Sequence, residues 1–82
     1  MKILYFYTRK GCHLCEIMLE ELMPIIRDKV KLEIRNVDSR DAWKKKYGTR
    51  VPLIKSDKKI ISEYRINHES LQDYLNSSLQ KL

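Results

Sequence analysis

The first third of the chain changes its hydrophobic pattern from that of a strand to that of a helix. Residues 3–7 are continuously apolar, which predicts, over residues 2–8, a central strand that is covered on both faces and paired in parallel. Pro24 lies in the helical segment that follows and is expected to kink the helix or to end it early. Apolar residues at helical spacing predict one buried stripe on that helix: Cys15, Met18, Leu19, Leu22 and Ile26.

A second, more exposed strand is predicted over residues 31–38. Leu32 and Ile34 alternate there with Glu33 and Arg35. An alternation with period two is typical of a strand with one buried face and one face in water.

The next segment has the features of a short helix. Asp38 or Ser39 is predicted to be its N-cap, because both side chains accept hydrogen bonds from first-turn N–H groups. Gly48 is predicted to end it. Its apolar contacts are expected from three residues: Ala42, Trp43 and Tyr47. The two aromatic residues are four apart, and we interpret them as a cover for the core rather than a stacking platform for bases.

The last third predicts a hairpin and a closing helix. Residues 53–55 and 59–63 form the two strands, joined by a turn at residues 56–58. Asn67 is the predicted N-cap of the helix, with Ile66 and Leu71 placed as a hydrophobic staple. The helix has an apolar stripe: Leu71, Leu75 and Leu79. The predicted order is β-α-β-α-β-β-α, in which a right-handed crossover through the first helix joins two parallel strands.

Composition restricts the class of protein. A chain of 82 residues with 43% hydrophobic and 34% charged residues predicts one globular domain. The net charge of +6 is spread along the chain without a basic, aromatic stripe, which argues against nucleic-acid binding. The five-residue apolar run near the N-terminus is too short for a signal peptide or a membrane span. We therefore expect a cytoplasmic protein with no membrane partner, in a compartment that keeps cysteines reduced.

Cys12 and Cys15 lie where the predicted strand passes through a short glycine-containing turn into the predicted helix. First-turn N–H groups of a helix carry partial positive charge and stabilise an anion such as a thiolate. Arg9, Lys10 and His13 add positive charge nearby, and such surroundings lower the pKa of a cysteine below about 8.5. Side chains at i and i+3 share one helix face, so the two sulfurs are close enough to form a disulfide.

The pair has two other interpretations. The cysteines could be structural, or they could form half of a zinc site. A closed zinc site needs four ligands, and the remaining candidates are His13 and His68, of which His13 points away from the cysteine face. A Cys-x-x-Cys beside a β-α-β pattern favours redox chemistry over both.

A strand, a short loop, Cys-x-x-Cys and a helix, in that order, resemble the active site of the thioredoxin superfamily, and the small size resembles the glutaredoxins. The resemblance covers essentially the whole chain. It implies a thioredoxin fold, in which a four-stranded mixed sheet is flanked by three helices. It also implies a thiol–disulfide oxidoreductase in which Cys12 attacks a substrate disulfide as a thiolate and Cys15 resolves the mixed disulfide.

Val51 and Pro52 complete the site that the resemblance implies. Read from the residues alone, Pro52 could be a boundary residue at the start of a strand. In the resembling families the matching proline is cis and faces the cysteines. The preceding residue, here Val51, there offers backbone hydrogen bonds to a bound peptide or to glutathione.

Some positions differ from the glutaredoxin pattern. The residues between the cysteines are His13 and Leu14, and residues 62–67 lack the glycine pair that binds one end of glutathione. Arg9 stands where a lysine is common and is expected to take over its charge role. Arg50 and Arg65 are expected to bind a substrate carboxylate, and His13 either stabilises the thiolate or is simply solvated.

The resemblance implies no tightly bound cofactor and no metal, with glutathione as a possible reductant. The expected partners are proteins with disulfides or glutathionylated substrates, together with a thiol reductant or a reductase, and the expected state is a monomer. Two alternatives are a glutathione-bridged iron–sulfur or metal carrier using Cys12 from two chains, and an inactive thioredoxin-fold adaptor. Cys15 argues against the carrier, because such carriers typically use one cysteine.

Overall fold

The computed structural model describes residues 2–80, with side chains through residue 77. The elements appear in the predicted order, with a 3-10 turn added before the second helix: β1 (Ile3–Thr8), α1 (His13–Ile26), β2 (Lys31–Asn36), the 3-10 turn (Val37–Ser39), α2 (Asp41–Tyr47), β3 (Leu53–Lys55), β4 (Ile60–Glu63) and α3 (His68–Gln80). The four strands form one mixed sheet in the order β2-β1-β3-β4. The predicted α/β thioredoxin fold is confirmed.

β1 lies inside the sheet, between β2 and β3, and apolar clusters cover both of its faces. It pairs in parallel with β2, as predicted, and antiparallel with β3. Leu4 and Phe6 point into a cluster with α1 and α3, the helix-side cluster: Leu4, Phe6, Cys15, Met18, Leu22, Ile26, Val30, Ile54, Ile61, Leu71 and Leu75. Tyr7 points to the other face, into the aromatic cluster: Tyr7, Val37, Tyr47 and Leu53. The turn that leads to Cys12 follows directly from this doubly buried strand.

α1 presents the predicted stripe to the core. Cys15, Met18, Leu22 and Ile26 are buried, as the apolar spacing predicts. The helix continues through Pro24 and ends two residues later, within one turn of the proline. No helix within residues 2–80 is long and apolar enough to cross a membrane.

The region between β2 and α2 differs from the prediction. β2 ends at Asn36, because the Asn36 side chain turns back to accept a hydrogen bond from the Asp38 N–H at 2.9 Å. Ile34 is 54% exposed, since β2 lies at the edge of the sheet. The predicted caps Asp38 and Ser39 are wrong: the N-cap of α2 is Arg40, without a side-chain hydrogen bond.

The aromatic residues of α2 pack as predicted. Tyr47 is buried, and Trp43 packs against the aromatic cluster with its ring edge-on to Tyr7. Ala42 is exposed and makes no part of this contact, because it lies on the water-facing side of the short helix. Gly48 is the C-cap, and its N–H donates to the Lys44 carbonyl.

The last third follows the prediction closely. Ser56 closes the hairpin turn through its N–H, which donates to the Lys59 carbonyl at 2.9 Å. The Asn67 side chain caps α3 by accepting from the Ser70 N–H at 3.0 Å. Ile66 packs against the helix-side cluster, which contains Leu71. The predicted contact of Leu79 lies outside the described side chains.

Candidate active site

A tight turn carries the chain from β1 to the first cysteine. The Cys12 N–H donates to the Arg9 carbonyl at 3.2 Å, which closes a four-residue turn. Gly11, the third residue of that turn, has a φ of +77°. A type II turn needs this conformation at its third position, and glycine adopts it without steric cost.

Cys12 is the N-cap of α1. Its backbone is extended, and its Sγ accepts a hydrogen bond from the Cys15 N–H at 3.1 Å. Cys12 is partly exposed, whereas Cys15 is 3% exposed and belongs to the helix-side cluster. The two are joined by a disulfide, with their Cα atoms 5.2 Å apart. Cys12, at the helix terminus, is thus the more exposed residue of the pair, and Cys15 is buried in the core.

The Val51–Pro52 peptide bond is cis. Val51 packs against both hydrophobic clusters, and Cys12 packs against one of them, the helix-side cluster. Pro52 is buried, and its carbonyl accepts the Tyr64 N–H at 2.7 Å. Val51, in the loop before β3, and Cys12 therefore pack against the same helix-side cluster.

Arg9 has a partner that the sequence analysis did not assign. Its Nε and Nη2 donate to the two carboxylate oxygens of Asp38 at 3.0 and 2.9 Å. Its Nη1 donates to the Gly48 carbonyl at 3.2 Å. The hydrogen bonds from Arg9 lower the pKa of Asp38 below its ordinary value. The predicted effect of Arg9 on the thiolate stays a prediction.

Three other predicted site residues lie on the surface. The imidazole of His13 is 82% exposed and faces Glu16 at 3.8 Å. Arg50 donates from Nη2 and Nε to the two carboxylate oxygens of Glu63, at 2.8 and 3.2 Å, and these bonds lower the pKa of Glu63. Arg65 is exposed and lines a groove beside α1. Arg50 is thus already paired with a carboxylate of its own chain.

The groove has a volume of about 300 Å³ and lies between α1 and the connection from β4 to α3. It is lined by residues of both segments: Leu14, Ile17, Met18, Glu21, Tyr64, Arg65, Ile66 and His68. Leu14, Ile17 and Tyr64 leave 51%, 43% and 46% of their surface exposed. This surface is not among the features predicted from the sequence. The available signal was two apolar residues, 14 and 17, off the predicted core stripe of α1.

Tyr64 connects the groove to the proline loop. Its φ is +65°, a conformation that is uncommon for a residue with a large side chain. Besides the bond from its N–H to Pro52, its hydroxyl donates to the Thr49 carbonyl at 2.8 Å. Tyr64 therefore donates hydrogen bonds to both ends of the segment 49–52.

Potential metal ligands are not gathered at this site. Among the described residues, no group of three His, Cys, Asp or Glu side chains is placed to hold a metal ion. His68, considered above as a ligand, faces Glu21 at 3.8 Å.

Comparison with known proteins agrees with this geometry. No functionally curated protein matches the chain. A Northeast Structural Genomics target protein from X. campestris, XcR50, has a similar structure, with a TM-score of 0.67 and 24% identity over 90% of this chain and 96% of that one. Thioredoxin 1 from Thermosipho africanus TCF52B has a TM-score of 0.64 and 16% identity over 95% of this chain and 99% of that one. Both show the fold.

The family follows from the sequence match. Residues 3–76 match the glutaredoxin-like domain family, a segment that includes both cysteines, the cis-proline loop and the groove. The chain belongs to the glutaredoxin-like domain family, within the thioredoxin superfamily.

Proposed function

We propose that this protein is a thiol–disulfide oxidoreductase that cycles between a Cys12–Cys15 dithiol and disulfide. One observation carries the proposal: Cys12 Sγ, partly exposed, accepts the Cys15 N–H at the N-terminus of α1, while Cys15 is buried behind it. A helix N-terminus stabilises a thiolate, and apolar burial disfavours one. The two cysteines therefore have the different reactivities that a nucleophile and a resolving thiol need.

In the first step the Cys12 thiolate attacks one sulfur of a substrate disulfide. A bond forms between Cys12 Sγ and that sulfur, and the second substrate sulfur leaves as a thiolate, which takes up a proton from solvent. The product is a mixed disulfide between Cys12 and the substrate.

In the second step Cys15 loses its proton and attacks Cys12 Sγ. The new Cys12–Cys15 bond displaces the remaining substrate sulfur as a thiolate. The substrate has then gained two electrons, and the protein has lost two. An external thiol reductant or a reductase must return them, and a reducing compartment such as the cytoplasm supplies either.

The loop at Val51 and Pro52 is proposed to align the substrate. An extended peptide can pair with exposed backbone groups as a short added strand. Val51 lies between the two hydrophobic clusters and directly precedes buried Pro52, so its backbone position is well defined. This arrangement supports in-line presentation of a substrate sulfur to Cys12.

We propose protein disulfides as the preferred substrates over glutathione adducts. The groove offers the exposed apolar side chains of Leu14, Ile17 and Tyr64, which suit apolar side chains of a protein. Recognition of glutathione requires partners for its carboxylates, and Arg50 is already bonded to Glu63, which leaves Arg65 beside the groove. Glutathione is therefore proposed as a slow reductant, with no cofactor bound tightly.

Turnover assays test the proposal. Catalytic amounts of the protein are expected to accelerate reduction of a protein disulfide by dithiothreitol, and Cys12→Ser is expected to abolish the acceleration. Glutathione in place of dithiothreitol should support only slow turnover. Absence of acceleration by the wild-type protein with either thiol, or with a thioredoxin-reductase-type donor, would contradict the proposal.

A further inference from the structure

We infer that Arg9 and Asp38 form a clamp that holds the Cys12 turn against the loop carrying Val51 and Pro52. In this role Arg9 is a positioning residue rather than a charge that acts on the thiolate. The inference deepens the proposed function and rests on it where Cys12 is taken as the nucleophile.

The first part of the clamp is the geometry at Arg9. Its guanidinium donates through two nitrogens to the two oxygens of Asp38, at 3.0 and 2.9 Å. A two-pronged arginine–carboxylate contact fixes direction as well as distance. The carbonyl of the same residue accepts the Cys12 N–H. Arg9 therefore connects Asp38 to the backbone of the nucleophile.

The second part is the rigidity of the Asp38 anchor. Asp38 lies in the 3-10 turn between Val37, which is fully buried, and Ser39. Its N–H donates to the Asn36 side chain at 2.9 Å, and the Ser39 hydroxyl donates to the Asn36 carbonyl. The carboxylate is therefore presented from a turn that is held by the core and by its own hydrogen bonds.

The third part is the contact from Arg9 to the proline loop. Arg9 Nη1 donates to the carbonyl of Gly48, at 3.2 Å, the residue that ends α2 and begins the loop to Pro52. A Cβ on Gly48 would collide with the Lys44 carbonyl and lie 3.6 Å from Arg9 Nη2. The Arg9 side chain thus contacts the backbone that leads to Pro52, while the Arg9 carbonyl accepts the Cys12 N–H.

The same geometry argues against a direct charge effect. The Asp38 carboxylate neutralises the guanidinium at hydrogen-bond distance, so the pair presents a dipole to Cys12 and not a net charge. The hydrogen bond to Cys12 Sγ comes from the Cys15 N–H, within α1. That bond does not depend on the side chain of Arg9.

Four variants test the clamp. Arg9→Lys keeps the positive charge but loses the two-pronged contact with Asp38, and Arg9→Met loses both. Asp38→Asn weakens the same contact from the carboxylate side. Glu33→Gln is the control, because it weakens another arginine–carboxylate pair, with Arg35, on β2. Both ion pairs are partly exposed and contribute little to stability, and thermal unfolding verifies that each variant is folded.

Amide hydrogen exchange on the oxidised protein is the first measurement. The Cys12 N–H is expected to exchange about tenfold faster in all three clamp variants, and at the wild-type rate in Glu33→Gln. Unchanged exchange in Arg9→Lys and Asp38→Asn would overturn the inference. This result is independent of turnover, so it decides the clamp even if the wild-type protein proves inactive and the proposed function fails.

Kinetics are the second measurement. The three clamp variants are expected to lower kcat/KM for a protein disulfide about tenfold, since misplacement of about 1 Å is costly to reaction rates. The pKa of Cys12, from alkylation against pH, should stay at the wild-type value in all of them. Wild-type turnover in Arg9→Lys, combined with a raised Cys12 pKa in Arg9→Met, would show instead that the charge of Arg9 acts on the thiolate.

Discussion

The Cys15 N–H donates a hydrogen bond to Cys12 Sγ across 3.1 Å, so the second cysteine of the pair supplies a backbone donor to the first. The bond lies at the N-terminus of α1, where the helix presents partial positive charge. Cys15 itself is 3% exposed. One short motif therefore gives its two sulfurs opposite surroundings, and the predicted chemistry depends on that difference.

The first prediction concerns the pKa values of the reduced pair. Cys12 is expected to titrate below the free-thiol value of about 8.5, because the helix N-terminus stabilises its thiolate, and Cys15 above it, because burial disfavours its charge. Alkylation rates measured against pH, with each site followed by mass spectrometry, give both values. Similar alkylation rates and ordinary pKa values at both sites would show that the assignment of the nucleophile is wrong.

The second prediction concerns Leu14 in the groove. Leu14→Gln removes an exposed apolar side chain from the groove and is expected to raise KM for a protein disulfide severalfold, with kcat little changed, because the proposed contact serves binding. Met23→Gln is the matched control, since Met23 lies on the same helix and is 47% exposed outside that groove. An equal change in KM in both variants would show that the groove does not bind the substrate.

The third prediction concerns Gly48. Gly48→Ala places a Cβ against the Lys44 carbonyl, which forces the end of α2 to shift. We expect a loss of about 1–3 kcal/mol in the free energy of unfolding, the usual cost of overpacking, measured by urea denaturation. Thr49→Ala, at the exposed neighbouring position, should stay within about 0.5 kcal/mol of wild type. Equal free energies of unfolding for the two variants would show that a Cβ at residue 48 does not collide with the Lys44 carbonyl.

The fourth prediction concerns the pH dependence of stability through Asp38. Hydrogen bonds from Arg9 lower the pKa of Asp38 from its ordinary 3.8, with a smaller contribution from the charge of Lys44. Because the folded-state pKa is the lower one, the ionised carboxylate stabilises the fold above pH 3.8, and this stabilisation is lost as pH falls through the lowered pKa.

Unfolding curves of wild type and Asp38→Asn check this sign. The wild-type advantage should be constant near neutral pH and should disappear in acid below the lowered pKa. The Arg9→Met variant should lose the same pH-dependent part, since its Asp38 no longer has that partner. A wild-type advantage that grows as the pH falls would contradict the assigned direction.

Much of the fold could be predicted because its signals are local. The doubly buried β1, the stripe of α1 and the cap at Asn67 each depend on neighbouring residues in the sequence. Cys12 and Cys15 could be placed at a helix start for the same reason. Because each element could be predicted from local signals, the order of the elements could be predicted too, and that order indicated the fold.

The parts that could not be predicted depend on contacts between distant segments. Asp38 has the chemistry of a helix cap, but the ion pair with Arg9, 29 residues away, binds its carboxylate instead. Ile34 fits a buried alternation, yet β2 is an edge strand that leaves it exposed. Leu14 and Ile17 line a groove only because the segment at Tyr64 lies opposite them. The sequence pattern does not encode these pairings locally.

Trapping of the mixed disulfide tests whether Cys12 is the nucleophile and Cys15 the resolving thiol. Reduced Cys15→Ser and Cys12→Ser proteins are incubated with a protein disulfide, and the covalent adducts are mapped by mass spectrometry. Cys15→Ser is expected to accumulate an adduct at Cys12, because the first attack occurs and resolution cannot, whereas Cys12→Ser is expected to form none at Cys15. An adduct at Cys15 in Cys12→Ser, or no adduct at Cys12 in Cys15→Ser, would contradict the account.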